Sequence, residues 1–137
     1  MIPMALIAPF MTAYLIFVGL VLGSFINLAA DRLPRGESII RPRSHCRACL
    51  RQLNAIDLLP VVGYALRRGR CATCHSQIGS SAPVVEAVAG AVMAAPILWL
   101  GLWPGALAGL GLVACWGLTV TGLAARRYEA RARASWR

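Results

Sequence analysis

Two long stretches of this 137-residue chain carry no charged side chain, and between them lies a segment holding nine of the fourteen arginines. No charge precedes Asp31, and none falls between Glu86 and Arg126. A bilayer core of about 30 Å is crossed by about 20 apolar residues in a helix, which satisfies its own backbone hydrogen bonds. Each uncharged stretch is long enough for one such crossing or two. The chain is 58% hydrophobic with a mean hydropathy of +0.66, above what an ordinary soluble domain carries. A soluble globular class is therefore excluded, and a membrane all-α fold of three transmembrane helices is expected.

The first span is predicted from about Met4 to Ala30, and Pro34 and Gly36 stop it. Pro83 opens a second apolar run from Val84 to about Leu102, with Glu86 placed well for the positive end of the helix dipole. Gly101-Leu102-Trp103-Pro104-Gly105 reads as a tight turn, with Trp99 and Trp103 at headgroup level. A third run, Ala106 to Ala125, leads into the basic end of the chain. The expected divisions are a first helix at 1–30, a loop at 31–82, a helical hairpin at 83–125 and a basic tail at 126–137. All fourteen basic residues are arginines, nine from Arg32 to Arg70 and five from Arg126 to Arg137. Basic loops stay cytoplasmic, so the amino terminus is expected outside, with the loop and tail inside. A cleaved signal peptide is the competing reading of the first run, but it would want a basic start and a shorter apolar stretch.

Within the loop, Cys46-x-x-Cys49 and Cys71-x-x-Cys74 form two knuckles separated by twenty-one residues. Four thiolates in this spacing suit the tetrahedral preference of zinc, and the loop is expected to be zinc-ribbon-like. A disulfide framework competes, and a reducing cytoplasm argues against it. Bound zinc would leave the four thiolates at a net charge of about −2, which Arg47, Arg51 and Arg70 are near enough in sequence to offset. His45 and His75 flank the knuckles as alternative ligands or exposed neighbours. The apolar patch Ile56, Leu58, Leu59, Val61, Val62 and Leu66 is too small for a core of its own, so the metal is expected to hold the loop. Cys115, inside the third span, is expected to be a small buried residue.

Gly19 and Gly23 stand four apart, and Ser24 and Asn27 continue that region of the first helix. Small residues let helices approach closely. The face suits either packing within the bundle or docking of a substrate helix; Gly105 and Gly109 show the same spacing in the third span.

The ordered series Gly23-Ser24-Phe25-Ile26-Asn27, Arg32-Leu33-Pro34, Cys46-Arg47-Ala48-Cys49, Asp57-Leu58-Leu59-Pro60, Tyr64, Arg68-Gly69-Arg70-Cys71, Cys74, Pro83 and Glu86 resembles the amino-terminal domain of type IV prepilin leader peptidases. These are the bifunctional peptidase and N-methyltransferase enzymes of pilus and type II secretion systems. The resemblance implies a bacterial inner-membrane location and gives Gly23, Ser24, Asn27, Arg32, Pro34, Asp57, Arg70 and Glu86 as family-motif positions. It also implies aspartic-type hydrolysis by two carboxylates at the membrane border, which can share a proton and activate water. Here Gly122 occupies the place of the first aspartate, no carboxylate lies between Glu86 and Glu129, and no Gly-x-Gly-Asp follows. No catalytic residue is assigned. The expectation is a non-proteolytic or split form whose partners are the lipid bilayer, prepilins, and a separately encoded peptidase half or a second copy. N-methyltransferase activity with S-adenosylmethionine is the alternative. A nucleic-acid binder is not expected, because topology already accounts for the arginines and the loop has Tyr64 as its one aromatic side chain.

Overall fold

The computed structural model describes residues 4–135 as three long helices in contact, with an irregular loop at one end of the bundle. Helix α1 spans Met4–Arg32 and runs into a 3₁₀ turn, Leu33–Arg35. Gly36 closes that turn at φ 69°, a left-handed conformation that glycine adopts without Cβ strain. The loop contains one short helix, α2, at Val62–Leu66. Helix α3 covers Ser81–Leu100 and α4 covers Leu102–Ser135. All three long helices are long and apolar enough to cross a membrane. Two isolated bridges, His45 to Gln52 and Arg70 to Gln77, are the extended pairings among the described residues.

The turn between the last two spans is shorter than expected. Gly101 alone breaks the helix, at φ 83° and ψ 174°, and α4 begins at the next residue. Pro104 fits there because the first turn of a helix has no intrahelical use for its N–H. The basic tail also differs from expectation, since α4 continues through it to Ser135. Alanine, arginine and glutamate are strong helix formers, and Arg133 pairs with Glu129 at 3.3 Å one turn back. At 34 residues α4 is about 51 Å long, well beyond a bilayer core.

Packing rests on small residues. A Cβ added to Gly19 would lie 2.7 Å from Met93 Cβ, and one on Gly23 would lie 2.7 Å from Glu86 Cα. Both glycines therefore let α3 sit directly on α1. Gly109 does the same for α4, with Met93 Sδ 2.8 Å from its missing Cβ. The buried cluster is Ala89, Met93, Ile97 and Val113, covered by Leu15, Leu22, Ile26, Val92, Leu102 and Trp116. Of the two uses foreseen for the Gly19/Gly23 face, packing within the bundle is the one observed. The expectation for Cys115 is corrected: it is exposed on α4, because the packed face of that helix runs through Gly105, Ala106, Gly109 and Val113.

Candidate metal centre

Each cysteine pair is folded by the same local device. Cys46 N–H donates to Arg51 O at 2.9 Å and Leu50 N–H returns to Cys46 O at 2.9 Å. In the second knuckle Cys71 N–H donates to Ser76 O at 3.0 Å and His75 N–H to Cys71 O at 3.2 Å. Leu50 and His75, each just after a second cysteine, take left-handed φ values of 59° and 55°. That repeated conformation curls both knuckles so that their sulfurs face one another. Cys46 Sγ lies 3.7 Å from Cys74 Sγ, Cys49 Sγ lies 3.9 Å from Cys71 Sγ, and all four fall within 4.8 Å. Zinc–sulfur bonds of about 2.3 Å at tetrahedral angles put sulfurs about 3.8 Å apart, so the cluster fits a metal ion.

The thiols also favour one electrostatically. N–H groups of Cys49 and Ala48, with the Ser76 hydroxyl, pull Cys46 down to about 6. Those of Cys74 and Thr73 lower Cys71. At Cys49 the Arg51 N–H acts downward, but burial and the other three sulfurs prevail and push the thiol up to about 11. Four sulfurs this close cannot all ionise without a cation among them; a divalent metal removes the conflict. All five cysteines are free thiols rather than disulfides. His45 instead places Nδ1 3.0 Å from Arg43 O, and His75 is exposed, so neither joins the sulfur cluster.

Three polar anchors tie this unit to the helices. Arg32, buried at the end of α1, donates to Ser38 O at 2.8 Å and Pro42 O at 2.9 Å. Asp31 pairs with Arg35 at 3.0 Å and with Arg47 inside the first knuckle. Glu86, buried in α3, accepts the Val61 N–H at 2.6 Å. Asp57 organises the space between the knuckles: Arg51 Nη2 reaches it at 2.6 Å and Arg67 Nε at 2.7 Å. Burial acts to raise its carboxyl, yet the hydrogen bonds from Arg67 and Arg51 outweigh that and hold it below the ordinary carboxylate range. Arg51 sits near both Asp57 and Cys71, which raise its pKa against the opposing effect of burial.

A family model described as the bacterial peptidase A24 N-terminal domain matches residues 17–100, from mid-α1 to the end of α3. The chain belongs to that family. Among curated relatives of this A24 N-terminal domain chain, the prepilin leader peptidase/N-methyltransferase of Bacillus subtilis (strain 168) is 36% identical over 92 residues, covering 67% of this chain and 37% of the relative. The protein of the same name from Burkholderia pseudomallei (strain K96243) is 34% identical over 127 residues, covering 74% and 41%. That from Myxococcus xanthus (strain DK1622) is 35% identical over 82 residues, covering 60% and 24%. The chain thus spans less than half the length of these relatives. No solved structure matches it.

Within the A24 domain, the motif positions divide by place. Gly23 seats α3, Arg32 and Glu86 anchor the loop, Pro34 forms the 3₁₀ turn, and Asp57 joins two arginines. Ser24 and Asn27 are half-buried on α1. Arg70 is exposed beside the second knuckle, opposite Gln77. Gly122 is exposed on α4, and a Cβ there would meet nothing within 4 Å. Of the arginines foreseen as compensating the sulfurs, Arg51 comes close, whereas Arg47 is taken by Asp31. Sequence reasoning missed the roles of Arg32, Asp57 and Glu86 as anchors; their partners lie 6 to 25 residues away, and no local pattern marks them.

Proposed function

We propose that this chain is a zinc-stabilised inner-membrane module that positions prepilins for processing, with the acid pair for hydrolysis lying outside these 137 residues. The observation that carries the reading is the four-sulfur cluster anchored to the ends of α1 and α3 by Arg32, Asp31 and Glu86. Four thiolates form a closed tetrahedral shell and prefer zinc over hard cations, so the metal supplies structure rather than an activated water. The loop and the end of α4 face the cytoplasm in this reading, and the start of α1 faces outward, because that assignment puts every arginine inside.

The charges define how a prepilin is held. Asp57 is taken up by Arg51 and Arg67, and Asp31 by Arg35 and Arg47, which leaves Glu37 as the exposed acid of the loop. Capture of a basic leader by a carboxylate cluster is therefore not the basis of recognition. The anchored loop instead sets the height and rotation of α1 and α3, beside which an apolar substrate helix and a peptidase half, or a second copy, assemble.

Deleting the gene tests the reading. Immunoblots should show uncleaved prepilin, rescued by the wild-type chain but not by Cys46→Ser or Cys71→Ser variants present at equal membrane levels. Normal processing in the deletion strain overturns it. Transfer of label from S-adenosylmethionine to processed pilin by the purified chain would assign methyl transfer here instead.

A further inference from the structure

The apolar patch of the loop is not a small core. Ile56, Leu58, Leu59, Val62 and Leu66 are 50%, 45%, 41%, 51% and 64% exposed. A soluble surface rarely gathers five such side chains within eleven residues. Their height along the bundle is what distinguishes them. Val61, at the centre of this lobe, donates its N–H to Glu86. Glu86 lies in the second turn of α3, five residues or about 7.5 Å past Ser81, and the 20 residues of α3 span about 30 Å, no more than a bilayer core. It is also level with Gly23, whose missing Cβ would lie 2.7 Å from Glu86 Cα. Asp31, the first charge on α1, stands eight residues beyond Gly23, about 12 Å farther along the axis. The lobe is thus fastened about 12 Å deeper than the first charge of α1, at the level of the buried Glu86.

Its backbone suits that depth. Asp57 N–H is taken by Asn54 Oδ1 at 2.9 Å, Leu58 N–H by Asn54 O at 3.2 Å and Leu59 N–H by Ile56 O at 3.3 Å. Gly63, Ala65 and Arg67 donate to Leu59, Val61 and Gly63 at 2.8, 3.0 and 3.1 Å. A segment with most of its donors paired within the protein can enter the headgroup–acyl boundary, where water no longer serves each group. At its carboxyl end, Arg68 and Arg70 are exposed and pair with no carboxylate among the described residues.

We propose that residues 56–66 form a lipid-contacting lobe that lies in the headgroup–acyl boundary on the loop side of the membrane, with Arg68 and Arg70 binding lipid phosphates at its rim. This rests on the membrane assignment of the helices and not on prepilin processing. The bilayer is favoured as occupant because the Val61–Glu86 hydrogen bond ties the lobe to a span that the bilayer surrounds, and because its rim charge is complementary to anionic headgroups.

The test uses the full chain in vesicles of phosphatidylcholine and phosphatidylglycerol. An environment-sensitive fluorescent amino acid replaces Val62 or Leu66, or Glu37 as a control, and retained metal content reports folding. The expected result is blue-shifted emission at 62 and 66, quenched several-fold more by doxyl-labelled lipid than at 37 and several-fold less by aqueous iodide. Iodide quenching equal to that at 37 would place the lobe in water and overturn the proposal. Protection from both quenchers would mean that protein covers the lobe, and would overturn it as well. Replacing phosphatidylglycerol with phosphatidylcholine, or introducing Arg68→Gln with Arg70→Gln, should reduce the lipid quenching; no change under either would remove the arginines from the proposal.

Discussion

Asp57→Asn is expected to loosen the metal without touching a sulfur. The carboxylate is 5% exposed and accepts from Arg51 at 2.6 Å and Arg67 at 2.7 Å, which brace the two knuckles against each other. A hydrogen bond to a charged group contributes about 1.5–3 kcal/mol. The arginines are 26% and 33% exposed, so water screens part of the interaction and asparagine keeps one acceptor. The net loss for Asp57 is therefore about 2–3 kcal/mol, at or below the range for breaking a fully buried pair. A site of this kind folds as it binds, so the loss should appear as a roughly 30- to 150-fold weaker apparent zinc affinity. Competition with a chromogenic chelator on the detergent-solubilised chain measures it. Glu129→Gln is the matched control, because the Glu129–Arg133 pair is 62% and 81% exposed on α4 and should leave the affinity unchanged. Affinity of Asp57→Asn equal to wild type, or an equal loss in Glu129→Gln, would refute the bracing role.

The same carboxylate sets a pH dependence. Its folded pKa is held below the ordinary value of about 3.9, so its stabilisation is complete above that value and is lost as pH falls toward the folded pKa. In hydrogen exchange, Leu58 and Leu59 amides of wild type and Asp57→Asn should therefore differ at pH 5–6 and converge below about pH 4; a constant difference would be contrary. Gly23→Ala should destabilise the bundle by about 1–3 kcal/mol in thermal unfolding, since its Cβ meets Glu86 Cα at 2.7 Å and Ala89 Cβ at 2.8 Å, while Gly111→Ala enters open space inside α4 and should be neutral to slightly stabilising. Elemental analysis should find one zinc per chain, lost in Cys71→Ser and unaffected by Cys115→Ala, because Cys115 lies outside the sulfur cluster. Glu86→Gln keeps an acceptor for Val61 N–H but not its charge, so Gly63 and Ala65 amides should exchange faster with metal content unchanged; unchanged exchange would dismiss the tether.

Charge placement and cysteine spacing made much of this visible in advance. Uncharged runs of membrane length foretold three helices, and paired C-x-x-C motifs foretold convergent sulfurs, because both depend on composition within short windows. The continuation of α4 to Ser135 is local in the same way, because strong helix formers, alanine, arginine and glutamate, dominate its last turns.

Contacts between distant segments were a different matter. That Gly23 receives α3, that Cys115 faces outward and that Glu86 holds Val61 all follow from how helices rotate and dock. The same is true of the loop's apolar patch, which reads as an undersized core in one dimension and stands exposed beside a span in three. Hydropathy and ligand spacing are local properties, carried by neighbouring residues whatever the rest of the chain does. Which face is buried depends on the relative rotation and height of separate helices, and those are set jointly by glycine contacts and a few long-range polar anchors.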